Sequence, residues 1–317
     1  MKRIVFMGTP AFSVPILQRL LQFQEITVVG VVTQPDRPKG RKRVLTPSPV
    51  KEEAEKHALP VLQPERLNTA EGIQQVLDLR PDLIVTAAYG QLVPKAILDA
   101  PPAKCVNVHA SLLPELRGGA PIHYAIMQEK KETGISIMYM AEKLDAGPVI
   151  AQSALPITTE DHVGSLHEKL SVLGADLLLR VLPDLLENKV VATPQDSTKA
   201  TFASNITRDQ EIIDWSQPNH KVAAHIRGLH PWPVAFTEIK DQVMKIWWGE
   251  SIEMTTDQPP GTILSVDKHG VSVACGQQSV LVVTDIQPAG KKRMPAADFA
   301  RGQASPLTPG VVLGGSH

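Results

Sequence analysis

Residues 105–123 read CVNVHASLLPELRGGAPIH, which joins a strand, a loop and the start of a helix in one run. Val106 and Val108 alternate with Asn107 and His109, and this period of two places both polar side chains on one face of a strand. The Gly-Gly-Ala-Pro run that follows is typical of a loop leading into the first turn of a helix. Because a strand end, a loop and a helix start form the crevice of an open α/β sheet, we expect Asn107 and His109 to face a site there.

The flanking sequence alternates between strand and helix patterns. Buried strands are predicted at 3–7, 26–33, 82–88, 104–109 and 134–140, and helices at 12–21, 49–58 and 70–79. A longer helical pattern begins at Asp161 and is expected to break only at Pro183. This alternation predicts an α/β fold with a doubly wound, largely parallel sheet.

The carboxyl-terminal third has a different sequence pattern, without the alternation of strands and helices. Residues 189–204 lack periodicity and carry small and polar side chains, which indicates a linker. Short β-rich runs separated by Pro and Gly then predict a small antiparallel barrel or sandwich. We therefore expect a first domain at 1–188, a linker at 189–206 and a second domain at 207–317.

Composition narrows the class of protein. With 317 residues and 43% hydrophobic content, the chain is long enough for about two ordinary cores. Its formal net charge of -1 means that any binding of a polyanion must come from local clusters. Cys105 and Cys275 are far apart, so we expect neither a metal site nor a disulfide framework. The short apolar run at the start predicts no signal peptide or membrane span, and we expect a cytoplasmic protein.

Asp145 is a second polar residue at the end of a predicted buried strand, and we expect it to reach the crevice that Asn107 and His109 face. Asn donates N–H groups to a developing oxyanion, His moves a proton near neutral pH, and Asp orients the imidazole. This set of groups suits attack on a carbonyl carbon without a side-chain nucleophile. It points to direct transfer of an acyl group to an amine or to water.

Two other interpretations of this stretch stay open. Ser111 lies close enough in sequence for a Ser-His-Asp hydrolase, although no GxSxG elbow surrounds it. An Asn-x-His pair on a strand can also serve only to satisfy buried backbone groups. His123 and Tyr124, in the following helix, fit either the pocket wall or helix packing.

Residues 34–49, QPDRPKGRKRVLTPSP, form a basic loop after the strand predicted at 26–33. Such a cluster attracts phosphates through counterion release, although it can also be a solvated surface loop. Basic residues near 290 form a second patch, and two patches on two domains favour an extended partner such as RNA. The basic residues are Arg37, Lys39, Arg41, Lys42 and Arg43 in the loop, and Lys291, Lys292 and Arg293 in the second patch.

Several of these segments resemble the folate-dependent formyltransferases. The shared segments are NVHASLLPELRGGAPI from residue 107, LDAGP at 144–148 and FMGTPAF at 6–12. The basic loop, GLHPWPVAF at 228–236 and GKKRM at 290–294 resemble the branch of that family that acts on initiator tRNA. This second resemblance extends over the whole chain.

The resemblance implies a Rossmann-like catalytic domain and an oligonucleotide-binding (OB-like) barrel. It implies that Asn107, His109 and Asp145 carry a formyl group from 10-formyltetrahydrofolate to the amino group of methionyl-initiator tRNA, for translation initiation. The basic residues of the two patches would bind the tRNA, with Arg41 near the top of the acceptor stem. We expect no metal, and a monomer. The folate-binding residues it implies are Ser111, Leu112, Leu113, Pro114, Tyr89, Gly90 and Leu92.

The chain departs from the family at Leu116, where an aromatic residue is frequent, and at His123, where glutamine is frequent. These differences concern contacts near the folate. Two rival functions fit the same residues. One is formyl transfer to a small amine such as glycinamide ribotide or an amino sugar nucleotide, and the other is a non-catalytic RNA-binding protein.

Overall fold

The computed structural model describes residues 1–40, 42–302 and 305–314. The chain divides into two compact units, each built from several segments. The first comprises residues 1–121, 132–156 and 167–204, and the second comprises 122–131, 157–166 and the described part of 205–317.

A seven-stranded sheet forms the centre of the first unit, with strand order β5-β2-β1-β6-β7-β8-β9. The first five strands in this order are parallel, while β8 runs antiparallel to β7 and β9 antiparallel to β8. The strands are β1 Lys2–Gly8, β2 Ile26–Val32, β5 Val61–Leu62, β6 Leu83–Ala87, β7 Cys105–His109, β8 Glu132–Tyr139 and β9 Val149–Pro156. The predicted α/β class is thus confirmed, and β9 is a strand that the sequence patterns did not predict.

Helices connect the strands of this sheet, and their apolar faces are buried. Ile16, Leu17 and Leu20 of the first helix, for example, are fully buried, at the spacing expected of an amphipathic helix. The helices are α1 Val14–Gln22, α2 Pro49–Lys56, α3 Ala70–Asp78, α4 Lys95–Leu98, α5 Pro121–Met127 and α6 Val163–Leu186.

The predicted break at Pro183 is wrong, because α6 continues through that residue to Leu186. Proline removes one backbone hydrogen bond from a helix. Here Leu182 and Leu185 on either side are fully buried, so packing holds the last turn in place. Within the described residues, no helix combines the length and the apolar character needed to cross a membrane.

The basic loop contains a two-stranded antiparallel ribbon, formed by β3 Arg37–Lys39 and β4 Val44–Thr46. A turn closes it, in which the Arg43 N–H donates to the Gly40 carbonyl over 3.1 Å. The base of the ribbon is anchored, because Asp36 accepts hydrogen bonds from Lys51 Nζ and Gln63 Nε2, each at 2.7 Å. The segment predicted as a loop is therefore a short, anchored β-ribbon, and we call it the basic ribbon.

The second unit contains a six-stranded antiparallel sheet, which confirms the predicted β-rich domain. The strand order is β10-β11-β14-β13-β12, with β15 also paired to β14. The long strand β11 has register shifts near Ile246 and Ile252, and such bulges bend a strand around a core. Its elements are α7 Asn219–Gly228, β10 Phe236–Ile239, β11 Gln242–Thr255, β12 Ile263–Val266, β13 Val271–Ala274, β14 Ser279–Pro288, β15 Met294–Pro295 and α8 Ala296–Ala300.

Candidate active site

His109, the last residue of β7, lies at the centre of the candidate site and is almost fully buried. Its Nε2 is 3.0 Å from the carbonyl oxygen of Leu116. A carbonyl oxygen only accepts hydrogen bonds, so Nε2 carries a proton and donates it. The other ring nitrogen, Nδ1, is therefore the atom of His109 that is left to contact Asp145 or a ligand.

Asp145 faces this nitrogen, with its Oδ2 3.8 Å from His109 Nδ1. The same oxygen accepts a hydrogen bond of 2.8 Å from the Gly118 N–H. Its side chain is about 10% exposed, so the carboxylate is only weakly screened by solvent. A negative charge in this position stabilises a protonated His109.

The path of the chain to Asp145 differs from the expected one. Because β8 is antiparallel to β7, its carboxyl end at Tyr139 pairs beside Val106, away from His109. The turn after β8 must then fold back across the sheet for Asp145 to approach His109. Asp145 itself has a φ of 47°, in the left-handed region that ordinary residues seldom adopt.

Asn107 is half-buried on the same strand as His109, two residues earlier. Its Oδ1 accepts a 2.8 Å hydrogen bond from Thr86 Oγ1, on the neighbouring strand β6. Among the described residues, its Nδ2 has no hydrogen-bond partner, so two N–H groups are left to donate to a ligand. This is the chemistry needed to stabilise an oxyanion.

The loop after β7 is held by the antiparallel edge of the sheet. Ser136 Oγ donates to the Ser111 carbonyl over 2.6 Å and accepts from the Leu113 N–H at 3.0 Å. Gln152 Nε2 donates to the Leu113 carbonyl over 2.9 Å. These bonds hold the backbone of the loop, in which Leu112 and Pro114 are half-buried.

Ser111 does not form a Ser-His-Asp hydrolase arrangement. Its side chain is buried, and its hydroxyl donates to the Glu115 carbonyl over 2.6 Å. The proton of that hydroxyl is therefore used within the loop, and both ring nitrogens of His109 face other groups. The geometry does not support a serine nucleophile.

The residues expected on the other wall of the folate site differ in their exposure to solvent. Tyr89 is buried in an apolar cluster, where burial raises the pKa of its hydroxyl to about 12. Within the described structure that hydroxyl has no hydrogen-bond partner. Gly90 has a φ of 93°, and Leu92 is 72% exposed, so these two are accessible from solvent.

The basic ribbon exposes its positive charges unequally. Arg37 Nη2 lies 2.7 Å from Glu65 Oε2, an exposed ion pair that a phosphate would have to displace. Lys39, Lys42 and Arg43 are exposed on the two sides of the turn. Arg41 lies outside the described residues.

Two of the three residues of the second basic patch contact other side chains of the second unit. Arg293 pairs with Asp285 and stacks 4.7 Å from the Trp247 ring centroid. Lys291 Nζ lies 4.9 Å from the Phe299 ring centroid, and Lys292 is exposed. Lys291 and Lys292 thus keep their charges more available than Arg293 does.

The two departures from the family have separate structural roles. Leu116 is buried, and it serves the site through its carbonyl, which holds His109. His123 lies within the second unit, where its Nδ1 donates to the Gly228 carbonyl over 2.8 Å. Burial lowers the pKa of His123.

The segment predicted as a linker contributes contacts to the site that the sequence patterns did not reveal. The Leu116 N–H donates to Thr201 Oγ1 over 2.9 Å, and the Ala120 N–H donates to the Ala203 carbonyl over 3.1 Å. Gln195 contacts both Arg117 and the turn that carries Asp145. An aperiodic, polar sequence is typical both of a free linker and of a segment that is hydrogen-bonded to a neighbouring loop, so the sequence does not distinguish the two.

Among the described residues, no group of three or more His, Cys, Asp or Glu side chains is arranged to hold a metal ion.

Comparison with protein families shows two matches that together span most of the chain. Residues 1–182 match the formyl transferase family, and residues 205–304 match the formyl transferase carboxyl-terminal domain.

Curated relatives match over the full length. One from Geobacillus sp. (strain WCH70), a methionyl-tRNA formyltransferase, is 56% identical over 317 residues, covering 100% of this chain and 99% of the relative. A methionyl-tRNA formyltransferase from Bacillus subtilis (strain 168) is also 56% identical, over 314 residues, with 99% and 98% covered.

Solved structures share the fold at low sequence identity. A Helicobacter canadensis N-formyltransferase in complex with folinic acid and dTDP-3-aminofucose is 15% identical, with a TM-score of 0.66 over 91% of this chain and 100% of its own. HypX from Aquifex aeolicus in complex with tetrahydrofolic acid is 16% identical, with a TM-score of 0.62 over 95% of this chain and 47% of its own.

Proposed function

Because the chain belongs to the methionyl-tRNA formyltransferase family, we propose that it transfers a formyl group from 10-formyltetrahydrofolate to the amino group of methionyl-initiator tRNA. The geometry around His109 carries the proposal for the site. With Nε2 donating to Leu116, the ring presents only Nδ1 to the reaction, and Asp145 lies 3.8 Å from it.

The residues present fit a formyl donor with a flat ring system. Asn107 offers two N–H donors for the formyl oxygen, while half-buried Leu112 and exposed Leu92 offer apolar surface for a ring. When bound, the donor supplies an electrophilic formyl carbon and a nitrogen leaving group. This chemistry requires no nucleophile from the protein, in agreement with the engaged hydroxyl of Ser111.

Each residue of the centre has a separate task in the proposed mechanism. Asn107 Nδ2 donates to the oxygen that becomes negative when the amine of methionine attacks. Protonated His109 donates from Nδ1 to the same developing charge. Asp145 stabilises that protonated ring and lies close enough to help move the proton from the amine to the departing nitrogen.

The proposed folate site lies between the loop at residues 111–114 and the segment at residues 89–92. Ser111 through Pro114 would form one wall, with its backbone held by Ser136 and Gln152. Gly90 and Leu92 would form the accessible part of the other wall. Tyr89 would support that wall from within the core, since its side chain is buried.

The tRNA would be bound by the exposed charges of both units. In the basic ribbon these are Lys39, Lys42 and Arg43, with Arg37 available once Glu65 is displaced, and Arg41 is proposed on the family resemblance alone. In the second patch they are Lys291 and Lys292, with Arg293 beside them. Counterion release would make this binding strongly salt-dependent.

We assign residues 1–188 to catalysis and 207–317 to an OB-like tRNA-binding domain, joined by 189–206. The three catalytic groups come from one chain, which favours a monomer as the working unit. The acceptor tRNA is used by ribosomes, so we place the reaction in the cytoplasm.

Replacement of His109 by Ala tests the proposed site. The wild-type chain should formylate charged initiator tRNA, and His109→Ala should lower turnover at saturating substrates on the order of a hundredfold or more. Asp176→Asn, a change to an exposed ion pair with Arg19, serves as a control that should leave turnover intact. Near-normal turnover by His109→Ala would show that the site is misassigned.

A further inference from the structure

Gln195 lies in the segment between the two family matches, and its side-chain amide joins three parts of the first unit. Its Oε1 accepts two hydrogen bonds from the Arg117 guanidinium, at 3.1 and 2.7 Å. Its Nε2 donates to the Asp145 carbonyl at 2.9 Å and to the Gly147 carbonyl at 2.7 Å. All the polar atoms of this amide are therefore used.

The turn that Gln195 holds is one that a free chain would seldom form. Asp145 has a φ of 47°, and a residue other than glycine held there carries backbone strain. Gly147 is packed so closely that a Cβ would lie 1.8 Å from the Tyr139 carbonyl oxygen. Such a turn persists only when surrounding contacts hold it, and Gln195 supplies two of them.

The Arg117 end of the amide bonds extends the same network. The Gly118 N–H, next in sequence to Arg117, donates to Asp145 Oδ2 over 2.8 Å. The Leu116 carbonyl, on the other side of Arg117, accepts from His109 Nε2. Gln195 thus lies between the turn that carries Asp145 and the loop that orients both Asp145 and His109.

We propose that Gln195 is a positioning residue, which holds the Asp145–Gly147 turn so that the Asp145 carboxylate stays between His109 and the Gly118 N–H. This inference rests on the proposed role of Asp145 in formyl transfer. Gln195 itself need not touch either substrate, because it acts through the backbone of Asp145.

Two substitutions separate this role from simple support of Arg117. Gln195→Glu keeps an acceptor for Arg117 but places a carboxylate against the carbonyls of Asp145 and Gly147, where no donor remains. Gln195→Ala removes both sets of bonds. Gln128→Glu, at an exposed glutamine, is the matched control for the added charge.

The first readout does not depend on activity. Hydrogen exchange of the Gly118 amide, measured by NMR, reports whether the Asp145 carboxylate still accepts from it. We expect exchange to become about tenfold faster in Gln195→Glu and in Gln195→Ala, in line with the loss of one hydrogen bond, and to be unchanged in Gln128→Glu. Unchanged Gly118 exchange in both Gln195 variants would overturn the inference.

The second readout is turnover in the formylation assay, with thermal unfolding as a check that each variant is folded. We expect kcat to fall about tenfold to a hundredfold in both Gln195 variants, because a small misplacement of a catalytic group is costly, with both KM values within about threefold of wild type. In an Asp145→Ala background, Gln195→Ala should cause no further loss of kcat.

The remaining outcomes are also decisive. Wild-type kcat in Gln195→Glu would show that Gln195 serves Arg117 alone, and additive losses in the double variant would show that it does not act through Asp145. A wild-type chain that formylates no acceptor would refute the proposed function, while Gly118 exchange would still decide the placement of Asp145.

Discussion

Removing the charge of Asp145 while keeping its shape is the sharpest perturbation of the candidate site. In Asp145→Asn the side-chain oxygen can still accept from the Gly118 N–H, so the turn should be retained. What is lost is the attraction between the carboxylate and a protonated His109, 3.8 Å away. At that distance two unit charges interact by about 4 kcal/mol at an effective dielectric constant of 20 and by about 1 kcal/mol in water.

The two side chains are only 6% and 10% exposed, which favours the upper part of this range. We therefore expect kcat to fall between about tenfold and a thousandfold, with the KM for the folate donor little changed, because the charge on His109 matters most in the transition state. Formylation of charged initiator tRNA under saturating conditions measures the effect. Asp176→Asn, the same chemical change at a surface ion pair, should retain wild-type kcat. A loss of less than twofold in Asp145→Asn would refute the electrostatic role of this residue.

Replacing the exposed ribbon residues Lys39, Lys42 and Arg43 by Ala should raise the KM for tRNA and leave the KM for the folate donor unchanged. The slope of log KM for tRNA against log salt concentration should fall by about 2 to 3, because three phosphate contacts are lost. An unchanged slope would exclude phosphate contacts by these residues. Burial raises the pKa of both Cys105 and Cys275 to about 12, so a thiol reagent at pH 8 should label them only after unfolding. Gly147→Ala should lower the free energy of unfolding in urea by about 2 to 3 kcal/mol, because its Cβ would clash with the Tyr139 carbonyl. Burial lowers the pKa of His123 in the folded protein. Its contribution to stability is therefore complete above the unfolded pKa of about 6.5 and is lost as the pH falls through the lower folded pKa. In His123→Gln, the fall in Tm between pH 7 and pH 5 should be smaller than in the wild type.

The placement of Asn107 and His109 on one strand face was predictable because a strand has a fixed side-chain period of two. This prediction follows from the strand alone and does not depend on how the neighbouring strands are arranged. Asp145 was expected near them as well, but for an incorrect reason. Side-chain patterns do not show whether a strand runs parallel or antiparallel to its neighbour, so the path of the turn after β8 could not be foreseen.

The contributions of Gln195 and Thr201 could not be predicted from local sequence. Both lie in an aperiodic segment, and their partners at 116, 117 and 145 are between 50 and 85 residues away. The continuation of α6 through Pro183 has a similar cause. Local propensity favours a break there, and only the burial of Leu182 and Leu185 against the core explains why the helix continues.

A competition among the three candidate acceptors in one reaction shows which of them receives the formyl group. The chain would be supplied with 10-formyltetrahydrofolate bearing a labelled formyl group, together with charged initiator tRNA, glycinamide ribotide and an amino sugar nucleotide in the same reaction. We predict that the label is transferred to methionyl-tRNA, and that neither small amine is labelled above the level seen with His109→Ala. Label on a small amine with none on the tRNA would show that the acceptor is a small amine and not methionyl-tRNA.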